Sequence, residues 1–431
     1  MLTQKPISKL NFELLTGTFV YGFSGFFSAA LSFLLLPVLT RYLSPYDYGI
    51  IETFITVVTL LTGVIIAGEN TLLTKEYFNL DVHGRKNYVE NALGFVTLTG
   101  AFILILFLIL SAVSNILPAI LKISNSLILW VIIVSFSTAV ISILLTLFQV
   151  ERKFKLFSVF VNVQILCDVG ISLFLIIVVK MQWEGRIAGM VASSLVFLAL
   201  ALLIFRKRNV TIRFPKNYAK AIFIIAPPFV LAHTSGWINE MVNKIMINNI
   251  QGIEATGIYS IGYRFGVVIL LIQEAFGKVW FPFFYENIKE NSELHNRMIV
   301  KNTYRYFAAL IIFSLIYGFF GNRLLHMFVD KRFFAAGQFV FLISMGYCLY
   351  GVWKVFIGYL IYKGKIKTYS NIVIFVALTN IVLNYFLLKK IGLIGAAWAT
   401  FISFAIGAIL TIFFAVRSHR MPWALSKKHN Q

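Results

Sequence analysis

Apolar runs of about twenty residues recur along the whole chain, with little polar sequence between them. They fall near 14–38, 50–68, 92–113, 127–149, 156–179, 187–205, 219–248, 257–284, 303–321, 338–361, 368–388 and 394–416. A helix rises 1.5 Å per residue, so each run can cross roughly 30 Å of hydrocarbon. Twelve such runs predict an all-α, polytopic membrane protein. With 59% of 431 residues hydrophobic and only 13% charged, no soluble core could absorb the apolar surface. The first run is too long for a cleavable signal and lacks a small-residue cleavage site. The longest connections, 69–91 and 285–302, read as short polar or amphipathic surface segments.

A formal charge of +21 would suggest nucleic acid in a soluble protein. Here the basic residues sit in short loops. If both termini lie on one side, that side collects 23 of them, including Arg85, Lys86, Arg152, Lys153 and Arg206 to Arg208. The opposite loops hold nine, among them Arg41, Lys122, Lys180 and Arg186. The positive-inside rule then places both termini in the cytoplasm and removes nucleic acid as a partner. Cys167 and Cys348 both fall inside spans, so neither a disulfide framework nor a CxxC site exists. No Walker A run, HExxH, GxSxG or dinucleotide turn is present, so ATP-driven transport and most soluble chemistries find no support.

The chain repeats itself. YGIIETFITVVTLL (48–61) resembles TGIYSIGYRFGVVILL (256–271), their first residues 208 apart. KLFSVFVNVQILCDVGISLF (155–174) matches KTYSNIVIFVALTNIVLNYF (367–386) at an offset of 212, pairing Ser158 with Ser370 and Asp168 with Asn380. Six spans per copy is an even number, so the copies share one topology about an axis along the membrane normal. The expected lobes are 1–210 and 211–431, joined through the basic segment 206–216.

Charged side chains at membrane depth are expensive and mark interiors or pathways. The seventh and eighth runs carry Glu240, Lys244, Arg264, Glu274 and Lys278. Glu240–Lys244 and Glu274–Lys278 are each spaced i,i+4, in the favourable acid-first order. At 100° per residue, Arg264, Glu274 and Lys278 fall on one side of a continuous helix. Such pairs either hold helices in register or line a watery path. At the 208-residue offset, Lys244, Arg264 and Lys278 correspond to Leu36, Thr56 and Asn70, so these cations belong to the second half only. Lys354, in the tenth run, either extends that lining or snorkels. The first half offers Glu52, Glu69 beside Asn70, and Asp168. Asp168 has no evident cation, and a lone carboxylate there can bind H+ or Na+, or stay protonated. Tyr42, Tyr46, Tyr48, Trp183, Trp280 and Trp423 sit near span ends, as interfacial belt residues do.

RYLSPYDYGIIE, TKEYFNLD, SGWINEMVNKIMINN, GIEATGIYSIGYRFG, VWFPFFYE and GLIGAAWAT together resemble the Wzx-type polysaccharide-biosynthesis flippases. That superfamily also holds the MATE exporters and the lipid II flippases. The resemblance implies a V-shaped bundle of two six-helix lobes that alternates its access. It implies a substrate of undecaprenyl-pyrophosphate carrying an oligosaccharide repeat unit. This would cross from the cytoplasmic to the periplasmic leaflet of the bacterial inner membrane, for O-antigen or capsular polysaccharide. An H+ or Na+ gradient, or consumption by the polysaccharide polymerase machinery, would drive transport, with no catalytic residue, metal or cofactor. Under this reading Lys244, Arg264, Lys278 and Lys354 grip the pyrophosphate, arginine bidentately and lysine as a mobile charge. Glu240, Glu274, Asp168 and Glu52 would be charge partners or ion-coupling acids. Many relatives carry an Asp-Arg pair where this chain reads Asn243-Lys244, keeping the cation without the acid. A MATE-like exporter of organic cations would favour a net acidic cavity instead. A membrane enzyme of lipid-linked glycan assembly would need a long extramembrane loop or a carboxylate cluster.

Overall fold

A computed structural model describes residues 7–213, 241–290 and 292–424, and everything below refers to these. They form helices and short turns, with no strand among the described residues. The first helices are α1 (Ile7–Tyr42), α2 (Pro45–Ile66), α3 (Glu69–Glu76) and α4 (Val82–Val113). After them come α5 (Ile116–Leu121), α6 (Asn125–Val150), α7 (Phe154–Leu173), which runs into a π-helical turn at Phe174–Val178, and α8 (Trp183–Lys207). The described end of the seventh run, 241–250, is α9. Then come α10 (Ile253–Gly266), α11 (Val268–Glu290), α12 (Glu293–Phe328), a 3-10 turn at Lys331–Ala336, α13 (Gly337–Tyr362), α14 (Ile366–Ile391) and α15 (Ile394–Ser418). Eleven helical segments among the described residues are long and apolar enough to cross a membrane. The remaining expected span, 219–248, lies outside them except for α9.

The chain divides into two compact units, Met1–Thr234 and Ser235–Gln431. The internal repeat recurs in their backbones. Helices α2 and α10 start 208 residues apart, at Pro45 and Ile253. Helices α6 and α13 start 212 apart, at Asn125 and Gly337, and so do α7 and α14, at Phe154 and Ile366. The turns between them match as well: Arg152 (φ 56°) and Gly364 (φ 67°) are both left-handed, as are Lys180 (φ 61°) and Gly392 (φ 70°). Glycine reaches this region without strain. The first unit therefore holds at Arg152 and Lys180 a conformation that the second obtains more cheaply with glycine.

Local chemistry sets the helix ends. Ser44 and Asp47 form a reciprocal capping box at the start of α2, with Pro45 in its first turn. Asp81, Ser124 and Ser292 cap α4, α6 and α12 through their side chains. Beyond α8, the Thr211 amide and hydroxyl each donate to Glu90 at 3.0 Å, and Arg213 Nε lies 2.9 Å from the same buried carboxylate. The basic segment after α8 is thereby tied to α4.

Each unit has its own core. Leu144, Phe148, Phe160 and Phe197 pack in the first; Tyr259, Ile343, Tyr347, Trp353 and Tyr359 pack in the second. Phe102, Phe319 and Ile409 are at least 65% exposed, an outward apolar surface that only a bilayer covers. The molecule is a multi-pass membrane protein.

Three expectations change here. The eighth run is not one helix, because α10 and α11 break at Val267. Gly266 sits so close to α13 that an added Cβ would meet Ile343 at 2.4 Å. The 285–302 connection is almost wholly helical, since α11 and α12 extend beyond their apolar stretches. Tyr42 and Tyr46 are exposed as belt residues would be, but Tyr48 and Trp280 are core residues, at 1% and 3% exposure.

Candidate functional site

The charged stretch of the second unit condenses around a run of tyrosines. Tyr259 and Tyr263 are one turn apart on α10, and Tyr347, Tyr350 and Lys354 follow at i, i+3 and i+7 on α13, so each set shares a face. The Tyr263 and Tyr347 hydroxyls bond to each other. Lys244, on α9 and only 7% exposed, places Nζ 5.7 Å from the centre of the Tyr263 ring. Arg264, the next residue along α10, is half-buried. On α13, Lys354 Nζ stands 5.6 Å over Tyr350, and the buried Gln273 of α11 donates to the Tyr347 carbonyl. Aromatic faces carry negative potential, so they accommodate ammonium groups that a purely aliphatic wall would repel. Lys244, Tyr263, Tyr347, Tyr350 and Lys354 thus form one row of contacts, two cations with tyrosine rings between them, packed largely inside this unit.

The charge pairing differs from the i,i+4 expectation. Glu274 does not reserve itself for Lys278; it makes an ion pair with Lys354, across from α11 to α13. Lys278 is exposed. Glu240, and with it the Glu240–Lys244 pairing, lies outside the described residues.

Beside this row lies a neutral seam. Asn243, the neighbour of Lys244, donates through Nδ2 to Thr400 Oγ1 on α15 at 2.7 Å. Its Oδ1 accepts from Asn384 Nδ2 on α14, also at 2.7 Å. Asn384 donates further to Asn380 Oδ1 at 3.0 Å, and Asn380 Nδ2 to Ser403 Oγ at 3.3 Å. All five residues are buried. Burial in low dielectric makes such amide bonds strong and any unpaired member costly. No carboxylate belongs to this network, so nothing in it offsets the charge of a bound cation.

In the first unit, Asp168 is not a lone acid. Arg186 Nη1 reaches Asp168 Oδ1 at 2.6 Å and Nη2 reaches Oδ2 at 3.0 Å, a bidentate pair, with Nη1 also 2.7 Å from Ser172 Oγ. Arg186 had been placed in a loop; it lies in the opening turns of α8 and is buried. Gly189 permits this, because an added Cβ would stand 2.1 Å from Ser172 Oγ. Glu52 is buried on α2, at 1% exposure. No cluster of three or more metal-ligating side chains occurs among the described residues.

The sequence singles out Lys244, Arg264 and Lys354 as charges within apolar runs, but not the tyrosines beside Lys244 and Lys354, nor the seam. The one-turn spacings Tyr259–Tyr263 and Asn380–Asn384 were the available signals. Arg186 had a signal too, in Asp168 and Ser172 sharing one face of the preceding helix.

These features define a helical membrane protein built from two repeated units. The fold matches solved transporters. A multidrug-resistance MATE family transporter of the MOP superfamily, solved facing inward, superposes with a TM-score of 0.63 at 13% identity, covering 91% of this chain and 95% of its own. The lipid II flippase MurJ, in an inward closed conformation, gives 0.60 at 16% identity, covering 93% and 87%. In sequence, a Haemophilus influenzae protein named for the Lsg locus is 22% identical over 356 residues, 80% of this chain and 84% of the relative. Residues 14–288 match the family model described as polysaccharide biosynthesis protein, and the chain belongs to that family.

Proposed function

We propose that the chain is a flippase for undecaprenyl-pyrophosphate-linked oligosaccharide repeat units in the bacterial inner membrane. It carries them from the cytoplasmic to the periplasmic leaflet for assembly of O-antigen or capsular polysaccharide. The observation that carries this reading is Lys244, a cation 7% exposed and seated against Tyr263, with Arg264 the next residue on that helix. Arginine grips two oxygens of a pyrophosphate at once, and lysine adds a mobile point charge. Membership of a polysaccharide-biosynthesis family supplies the class of cargo. Organic-cation export is the weaker reading, because Glu274, the acid in contact with Lys354 among the described residues, is already paired. In this scheme Lys244 and Arg264 hold the pyrophosphate, Lys354 sits at the margin with Glu274, and the exposed Lys278 contributes least. Asp168 is a structural acid, leaving Glu52 and Glu240 as candidates for coupling to H+ or Na+.

Deleting the gene from its host tests this. The account expects surface polysaccharide to disappear and the lipid-linked repeat unit to accumulate facing the cytoplasm. Wild-type protein should restore the polymer, and Lys244→Ala protein should not. A deletion strain with normal surface polymer and no accumulated intermediate contradicts it.

A further inference from the structure

The first unit contains a cleft of about 610 Å³ where α3, α6 and α7 meet. Six of its lining residues, Asn70, Thr71, Thr74, Ser142, Thr146 and Gln149, are neutral hydrogen-bonding side chains. Leu145 and Phe157 complete it, and no described lining residue is charged. We propose that this cleft receives the neutral, hydroxyl-rich sugar portion of the lipid-linked substrate, an inference that rests on the transport function proposed above.

The hydrogen-bonding side chains of the cleft suit a sugar. The Asn70 amide nitrogen donates to Ser142 Oγ, which fixes both side chains along one wall. Thr74 and Thr146 spend their hydroxyl protons on their own helices, on the Asn70 carbonyl at 2.8 Å and the Ser142 carbonyl at 2.9 Å. Both oxygens are left as acceptors for the O–H groups of a sugar, while the Gln149 amide offers donor and acceptor together. Phe157 adds the apolar face against which the C–H side of a sugar ring packs.

Charge narrows the choice of ligand. A pyrophosphate would require cations and an organic cation would require a carboxylate, and the cleft offers neither. Its volume lies within the usual 300–1,000 Å³ of small-ligand sites. By the charge pattern of the loops, α3 and the adjoining ends of α6 and α7 face the cytoplasm, the side on which the glycan would be presented.

Full-length protein in nanodiscs can be titrated with three probes, occupancy being read by native mass spectrometry. The probes are undecaprenyl-pyrophosphate bearing the repeat unit, undecaprenyl-pyrophosphate without sugar, and the free oligosaccharide released from the first. Asn70→Leu and Gln149→Leu should each weaken the sugar-bearing lipid about tenfold, as loss of a ligand hydrogen bond does. Both should bind the sugar-free lipid as wild type does, which also shows that they are folded. Lys244→Gln should weaken both lipids. Binding of the free oligosaccharide by wild type, reduced in the Asn70 and Gln149 variants, supports the inference. Equal affinity of wild type and both variants for the sugar-bearing lipid overturns it and leaves the transport reading standing. A wild type that holds neither lipid overturns the transport reading as well.

Discussion

The two units close the same helix pair with different chemistry. Between α7 and α8 the first unit uses a bidentate ion pair, Asp168–Arg186, with Ser172 beneath it. At the 212-residue offset the second unit has Asn380 for Asp168 and Asn384 for Ser172, and it closes α14, α15 and α9 with amides and hydroxyls. The backbones diverge at the same place. Helix α7 ends in a π turn at Phe174–Val178, whereas α14 runs unbroken to Ile391. The repeat thus preserves where the polar seam lies without preserving what it is made of. The unit with the neutral seam also carries Lys244 and Arg264, and Asn243 of the seam adjoins Lys244 in sequence.

The sharpest way to break this comparison is to remove one half of the ionic seam. Arg186→Ala strands the Asp168 carboxylate, with 23% side-chain exposure, and should cost about 3 kcal/mol, the low end for a broken buried pair. Reversible unfolding in mixed micelles measures this. Asp168→Asn combined with Arg186→Leu imitates the neutral seam and should recover most of the loss. If the double variant is no more stable than Arg186→Ala, the two seams are not interchangeable solutions.

The neutral seam should respond less. Asn384→Leu removes the donor to Asn243 and leaves that Oδ1 buried, for a loss of about 2 kcal/mol by the same assay. Added salt should leave the Asn384→Leu difference unchanged. A loss larger than that of Arg186→Ala would reverse the ranking. The second unit's own ion pair is weaker still. Glu274 is 57% exposed on its side chain, so Glu274→Gln should change stability by no more than about 1 kcal/mol.

The smallest effect is a pH dependence near the end of α15. Burial, with Lys363 nearby as the lesser cause, holds His419 below the ordinary histidine pKa of 6.5. The unfolded chain then binds this proton more readily than the folded one. Stability from His419 is therefore complete above pH 6.5 and declines as pH falls below it. The ring packs near Tyr359 and Tyr362, so His419→Phe should flatten the stability profile between about pH 7 and pH 5. A profile as steep as wild type would place the titration elsewhere.

The spans, their number and the repeat were legible because apolar length and a fixed offset are one-dimensional properties. Lys244, Arg264 and Lys354 stood out for a similar reason, as charges in hydrocarbon sequence. Partner choice was not legible. Helical spacing ranks neighbours on one helix, so it favoured Lys278 for Glu274, whereas the actual partner lies 80 residues away on α13. The same blindness left Asp168 without Arg186, only 18 residues ahead but across a turn. The break between α10 and α11 at Val267 adjoins Gly266, which α13 approaches closely, a contact that no local propensity encodes. Tyrosine is equally at home in a membrane belt and in a core, so composition could not separate Tyr42 from Tyr48.

Translocation itself tests the central claim most directly. Proteoliposomes containing the full-length chain and the undecaprenyl-pyrophosphate-linked repeat unit can be assayed for leaflet exchange by enzymatic modification of the outward-facing glycan. Wild-type protein should move the lipid across the bilayer. Lys244→Ala and Arg264→Ala should each slow it at least tenfold, while Lys278→Ala stays within about twofold of wild type, as expected for a side chain exposed on the outside of α11. Equal rates for wild type, Lys244→Ala and Arg264→Ala would contradict the account.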